Sequence, residues 1–188
     1  MLGVIFGKNN KVKKANREHF FSAITAAVSL EGRTDLHPTR YAGIVFRPVE
    51  SSFFSNLEKE LKDLLKVSEN ATGTRFEVKD DGHGTRWVVL DDKDFEDLVS
   101  TLHLVAETIV EHGFGDRLLA SVLRFDFEGR KAYWIYSMKR GKFYPFVLDG
   151  DNKRDNAAEM RLGALMEKEK IPMEKALESW YALWGIPF

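Results

Sequence analysis

The longest periodic run of the sequence lies in its middle, and it constrains the fold more than any other feature. Its apolar residues recur three or four positions apart, at Phe95, Leu98, Val99, Leu102, Ala106 and Ile109. That spacing places them on one face of an α-helix. Asp91 and Asp92 are placed to cap the first turn, and Gly113 is placed to end the last one. The run therefore predicts a long amphipathic helix with one buried face.

Residues typical of β-strands lie on both sides of that helix. We expect strands over 41–46, 76–78, 87–90, 118–127, 131–137 and 142–148. The second and third form a hairpin, because the turn-forming stretch 80–84 joins them. The last strand contains Pro145, which has no N–H to donate, so we expect this strand at an edge of the sheet.

Shorter helical patterns occupy other parts of the chain. We expect helices over 20–28, from Ser55 onward, over 155–168 and over 172–184; the stretch 25–30 suits an extended conformation equally well. The order of elements predicts a single α+β domain, with a mostly antiparallel sheet, helices packed on one face and two C-terminal helices. A long helix between two antiparallel β units resembles the architecture of type III secretion chaperones.

Composition and charge exclude several classes of function. The 188 residues carry a net charge of −1, which gives no overall attraction to nucleic acid or to an anionic membrane. No cysteine is present, which excludes disulfides and thiolate metal sites and favours a reducing compartment. We therefore expect a cytoplasmic protein, folded as one domain over residues 16–188.

The first 15 residues differ in composition from the rest of the chain. We interpret them as a flexible or membrane-touching basic segment. An apolar tip that includes Ile5 and Phe6 precedes a run of cations, Lys8, Lys11, Lys13 and Lys14. An apolar tip followed by a polybasic run gives reversible binding to anionic membranes. The alternative is a solvated lead-in to the domain.

The sequence lacks the motifs of standard catalytic classes, so we expect no enzyme activity and no cofactor. It has no nucleophile elbow, no zinc-protease motif and no glycine-rich phosphate loop. His103, Glu107 and Glu111 follow one another at four-residue intervals and are the alternative metal site. We favour a solvated helix face for these three residues, because amphipathic helices place charge opposite their apolar stripe.

Aromatic residues and cations alternate in the last third of the chain. Lys139, Arg140 and Lys142 flank a turn, Tyr144 follows, and Arg154 precedes the next helix. These five residues are our candidates for binding a protein partner. Stacking of nucleic-acid bases is the alternative, but single-strand binders carry a broader basic groove. We expect the closing rings, Trp180, Tyr181 and Trp184, to dock the last helix onto the sheet.

Several stretches, taken in order, resemble the PspA-associated protein PspAB family. They are 73–74, 87–99, 113–120, 139–146 (KRGKFYPF), 154–156 (RDN) and 180–187 (WYALWGIP). The resemblance covers almost the whole chain after Tyr41, and the combination is more specific than any single piece.

The resemblance implies an accessory role in the phage-shock envelope stress response. Members of the family accompany PspA, a coiled-coil protein that remodels membranes, and some lie near an HtpX-like membrane protease. The family offers no catalytic or ligand residues to carry over. We therefore expect a non-enzymatic adaptor, in the cytoplasm or peripheral on the inner face of the membrane. The alternatives are a metal-dependent or small-molecule enzyme and a nucleic-acid-binding domain.

Overall fold

Residues 17–150 and 153–188, which the computed structural model describes, form a six-stranded antiparallel sheet with four α-helices. The strands are β1 (Leu36–Phe46), β2 (Arg75–Asp80), β3 (Arg86–Asp91), β4 (Leu118–Phe127), β5 (Arg130–Ser137) and β6 (Lys142–Val147). The helices are α1 (17–29), α2 (Ser52–Thr72), α3 (Phe95–Glu111) and α4 (Asn156–Lys168). The predicted α+β class and antiparallel sheet are confirmed.

The strand order is β2-β3-β1-β4-β5-β6, so β6 lies at an edge as its proline predicts. The central strands β1 and β4 pair from Leu36 opposite Phe127 to Phe46 opposite Leu118, with register shifts between Pro38 and Ala42 and between Val45 and Phe46. The predicted hairpin is β2 and β3, paired from Arg75 opposite Asp91 to Asp80 opposite Arg86. Each predicted strand exists, and β1 begins earlier than the apolar run alone indicates.

All four helices pack on one face of the sheet, as predicted. Phe54 of α2 contacts Phe46, with ring centroids 6.1 Å apart, and Phe95 of α3 contacts Phe125 at 5.6 Å. Phe20 of α1 lies 5.1 Å from the ring of Tyr136. These sheet residues share one face because alternate positions along a strand point the same way. Gly163 brings α4 against Pro145 of β6 on this same face.

Two predicted helix starts are wrong by about one turn. The N-cap of α3 is Asp94, whose side chain accepts from Glu96 N and Asp97 N. Asp91 is instead held by Arg40 and Arg75 at the end of β3. Helix α2 begins at Ser52 rather than at Ser55, because the Ser51 hydroxyl accepts from Phe54 N and caps an earlier turn.

The predicted second C-terminal helix, over 172–184, is wrong. After α4 the chain is irregular, apart from a β-bridge between Met173 and Phe143 and one 3₁₀ turn at Leu177–Ser179. We call residues 172–188 the C-terminal strap. Its large side chains reach separate places across the sheet, which an extended segment allows and a helix does not.

The strap crosses the edge of β6 and covers the face opposite the helices. The ring centroid of Trp184 lies 5.5 Å from that of Phe146. The ring centroid of Phe188 lies 5.9 Å from that of Trp87 and 6.2 Å from that of Tyr133. A Cβ atom at Gly43 would come within 2.6 Å of the Phe188 ring. Gly43 therefore leaves room for Phe188 on the sheet.

The predicted membrane-contact residues Ile5, Phe6, Lys8, Lys11, Lys13 and Lys14 lie outside the described residues. Among the residues that are described, no helix is both long enough and apolar enough to cross a membrane.

Candidate functional site

The turn between β5 and β6 exposes two of the five predicted partner-binding residues. Lys139 and Arg140 are both exposed there, and Gly141 closes the turn with a φ of +64°. Arg140 reaches the strap, where its Nη1 lies 3.0 Å from Glu174 Oε2. Lys139 makes no ion pair with any residue in the described ranges, so its charge is open to a partner.

Glu174 links this turn to the strap from a buried position. Its side chain is only 7% exposed, and its carboxylate accepts from Ala176 N at 2.9 Å. That backbone N–H and Arg140 both favour the charged form and hold the pKa of Glu174 below its usual value. Lys142 is half-buried and adds a favourable charge nearby. Arg140 is therefore accessible to a partner while its guanidinium is held by Glu174.

Arg154 is held by a buried carboxylate. Its Nε lies 2.7 Å from both oxygens of Glu159, and its Nη1 donates to Trp180 O at 2.7 Å. The Glu159 side chain is 3% exposed. Burial raises the pKa of Glu159, while Arg154 and the N–H of Val147 oppose that rise. The pair therefore fixes the strap to α4 and to the sheet.

The strap and the carboxylate of Glu159 together hydrogen-bond to the outer edge of β6. Phe143 N donates to Pro172 O and Phe143 O accepts from Glu174 N, both at 2.8 Å. Val147 N donates to Glu159 Oε1 at 3.0 Å. Pro145, midway between them, has no N–H. The edge offers no row of free donors, so another strand cannot readily pair with it.

The five predicted residues thus fall into different environments. Lys139 and Arg140 are exposed, and Lys142 and Arg154 are half-buried. Tyr144 is buried at 5% exposure, and burial raises the pKa of its hydroxyl. A partner has direct access to the turn, whereas Tyr144 is buried and Arg154 is engaged by Glu159 and Trp180.

Two aromatic residues of the strap are exposed, although the sequence predicts that they dock. Tyr181 is 65% exposed and Trp184 is 50% exposed, whereas Trp180 is buried at 8%. Trp180 packs on Gly163 and donates from Nε1 to Glu174 O at 2.9 Å. Trp180 is therefore buried, but it packs against α4 from an irregular segment, so the predicted docking of a last helix onto the sheet is wrong. Exposed Trp, Tyr and Arg side chains are the residues that most often dominate protein interfaces.

The predicted solvated face of α3 is wrong at His103. Its side chain is 15% exposed and packs against Phe21, with ring centroids 4.9 Å apart, because α1 covers this side of α3. Burial lowers the pKa of His103, and Glu107 opposes this effect. Its Nε2 lies 3.1 Å from Glu107 Oε1. Within the described residues, no group of His, Asp and Glu side chains is arranged to hold a metal ion.

Comparison with known proteins gives one family. The model of the family described as PspA associated protein B matches residues 1–188, the whole chain. No curated protein and no solved structure matches the sequence. The likeness to type III secretion chaperones therefore stays a prediction. The family match agrees with the resemblance seen in the last third of the sequence. That third contains the turn, the Arg154–Glu159 pair and the strap. The chain belongs to the PspA associated protein B family, PspAB.

Proposed function

We propose that the protein is a non-enzymatic accessory or adaptor of a PspA-type envelope stress response and acts by binding another protein. The observation that carries this proposal is the family match over the whole chain, whose description names an association with PspA. The partner is a PspA-like coiled-coil protein. Such proteins present long helices, whose solvent-facing positions carry charged residues.

The turn and the strap support a docking surface for such a helix. Lys139 and Arg140 offer two cations, with the half-buried Lys142 behind them. Tyr181 and Trp184 offer exposed rings on the strap, which Arg140 and Arg154 tie to the sheet. A surface held in place loses little side-chain freedom on binding. We therefore propose that the cations face acidic positions of the partner helix.

Co-purification with the PspA protein of the same organism tests this surface. We expect the Lys139→Ala/Arg140→Ala double variant to retain at least about tenfold less PspA than the wild type, which corresponds to about 1.4 kcal/mol. The matched control is Lys59→Ala/Lys62→Ala, which removes two exposed cations of α2. Equal retention by a folded Lys139→Ala/Arg140→Ala variant would refute the assignment of this surface.

We further propose a peripheral location on the cytoplasmic face of the membrane, where an HtpX-like protease is a second candidate partner. Support comes from the sequence of residues 1–14, an apolar tip followed by four lysines. Deleting residues 1–14 is expected to reduce flotation with vesicles that contain anionic lipid, and to leave the unfolding temperature unchanged. Flotation that does not change on deletion would remove the membrane contact and leave the adaptor proposal intact.

A further inference from the structure

A groove lies on the sheet face opposite the helices, beside the end of the strap. Its volume is about 560 Å³, and Tyr41, Arg75, Lys79, Arg124, Lys131 and Phe188 are among the residues that line it. This volume is in the range of small-ligand sites, which run from about 300 to 1,000 Å³. The groove includes Lys131 near the start of β5, whereas the turn that carries Lys139 and Arg140 follows the other end of that strand.

Arg124 lies in this groove, and no described residue neutralises its charge. Its Nε is enclosed and makes no hydrogen bond, and its guanidinium forms no ion pair with any described residue. The guanidinium instead lies over the ring of Tyr41, 5.6 Å from the centroid. The main-chain oxygen of Phe188, also in the groove, accepts from Tyr133 Oη at 2.9 Å. An enclosed charged donor is unfavourable unless an acceptor meets it.

The other charges of the groove are mostly paired, and a positive excess remains. Asp91 is shared between Arg40 and Arg75, and Lys79 lies 3.0 Å from Glu77. Lys131 is exposed and has no ion pair among the residues described. The lining side chains comprise four cations and two carboxylates, so Arg124 and Lys131 are the two lining cations left without an ion pair among the described residues.

We propose that this groove binds the phosphoryl group of a phosphate monoester. A guanidinium holds two oxygens of such a group in parallel, and an ammonium adds a point charge beside it. Arg124 takes the first role and Lys131 the second. A phosphate monoester carries nearly two negative charges at neutral pH and can meet both of these cations, whereas a carboxylate carries one charge. Val89, Pro187 and Phe188 provide an apolar wall for the rest of the ligand.

Two sources supply this chemistry, a soluble metabolite and a lipid headgroup, and two probes separate them. The first probe is glycerol 3-phosphate, titrated into the full chain and followed by ¹H–¹⁵N NMR. The second is flotation with vesicles of phosphatidic acid in phosphatidylcholine, compared with phosphatidylcholine alone. Binding of the first probe only assigns a soluble ligand, and binding to the acidic vesicles that depends on Arg124 assigns a headgroup. Either result supports the proposal.

We expect Arg124→Ala to weaken binding of the effective probe at least tenfold and Lys131→Ala to weaken it severalfold. Lys131 is exposed, so its variant keeps the test valid if Arg124→Ala does not fold. Lys66→Ala, on α2 and therefore on the helix side of the sheet, removes the same charge and should bind normally. The proposal is overturned if neither probe binds, or if folded Arg124 and Lys131 variants both bind as the wild type does. Either failure leaves the adaptor proposal unaffected.

Discussion

Replacing Glu159 by alanine is expected to lower the free energy of unfolding by about 3–5 kcal/mol. Two groups lose their partner together, the guanidinium of Arg154 and the N–H of Val147. Glu159 is 3% exposed and Arg154 is 23% exposed, so water replaces the lost contacts poorly. The loss also loosens the strap, because Arg154 is the donor to Trp180 O. Denaturant unfolding followed by circular dichroism measures the effect.

The control for Glu159→Ala is Glu167→Ala, a change on the same helix that breaks the exposed ion pair with Lys175 of the strap. That change should cost no more than about 1 kcal/mol, because exposed ion pairs contribute little. Removing both charges with Arg154→Met/Glu159→Leu should destabilise less than Glu159→Ala does, because no unpaired buried charge remains. Equal effects of Glu159→Ala and Glu167→Ala would contradict the structural role of the Arg154 pair.

The two tryptophans of the strap are expected to behave in opposite ways when each is replaced by alanine. Trp180→Ala should lower the free energy of unfolding by about 3–5 kcal/mol, the usual cost of removing a buried tryptophan. Trp180 is 8% exposed, and its ring fills the space over Gly163. The variant also lacks the indole N–H, so Glu174 O loses its hydrogen-bond donor. Thermal and denaturant unfolding give the difference.

Trp184→Ala is the matched variant, four residues further along. Trp184 is 50% exposed and makes one edge-to-face contact with Phe146, so its removal should cost about 1 kcal/mol or less. We expect this variant to lose PspA binding while it stays folded. A large stability loss for Trp184→Ala, or a small one for Trp180→Ala, would show that the strap lies differently on the sheet.

The parts of the fold that the sequence predicts well are those with a local physical cause. Helix α3 follows from one apolar stripe and a glycine stop. The hairpin of β2 and β3 follows from alternating residues around a glycine-containing turn. The edge position of β6 follows from Pro145, which cannot donate to a neighbouring strand. In each case a few adjacent residues carry enough information.

The strap could not be predicted because its residues suit a helix equally well. Trp180 and Trp184 are four positions apart, the spacing of one helix face. Their separate destinations, Gly163 of α4 and Phe146 of β6, are set by contacts distant in the sequence. The burial of His103 could not be predicted for the same reason, since the rings that cover it belong to α1, which is distant in the sequence. Tertiary packing decides these positions against the local pattern.

The candidate site was predicted in part. The sequence places Lys139 and Arg140 at a turn, and both are exposed there. It does not reveal that Arg154 faces Glu159, because a pair five residues apart spans the start of a helix rather than one of its faces. Nor does it distinguish Arg124 from other charges on strands, since only the assembled sheet shows that no acid of the described part of the chain forms an ion pair with it.

We propose that the chain works by binding a PspA-type protein. Sedimentation velocity of the purified chain, mixed with the PspA protein of the same organism, measures this binding without a tag or a surface. We predict a faster-sedimenting species that contains both proteins and is lost with the folded Trp184→Ala variant. Two independent species at every mixing ratio, with both proteins folded, would contradict the claim.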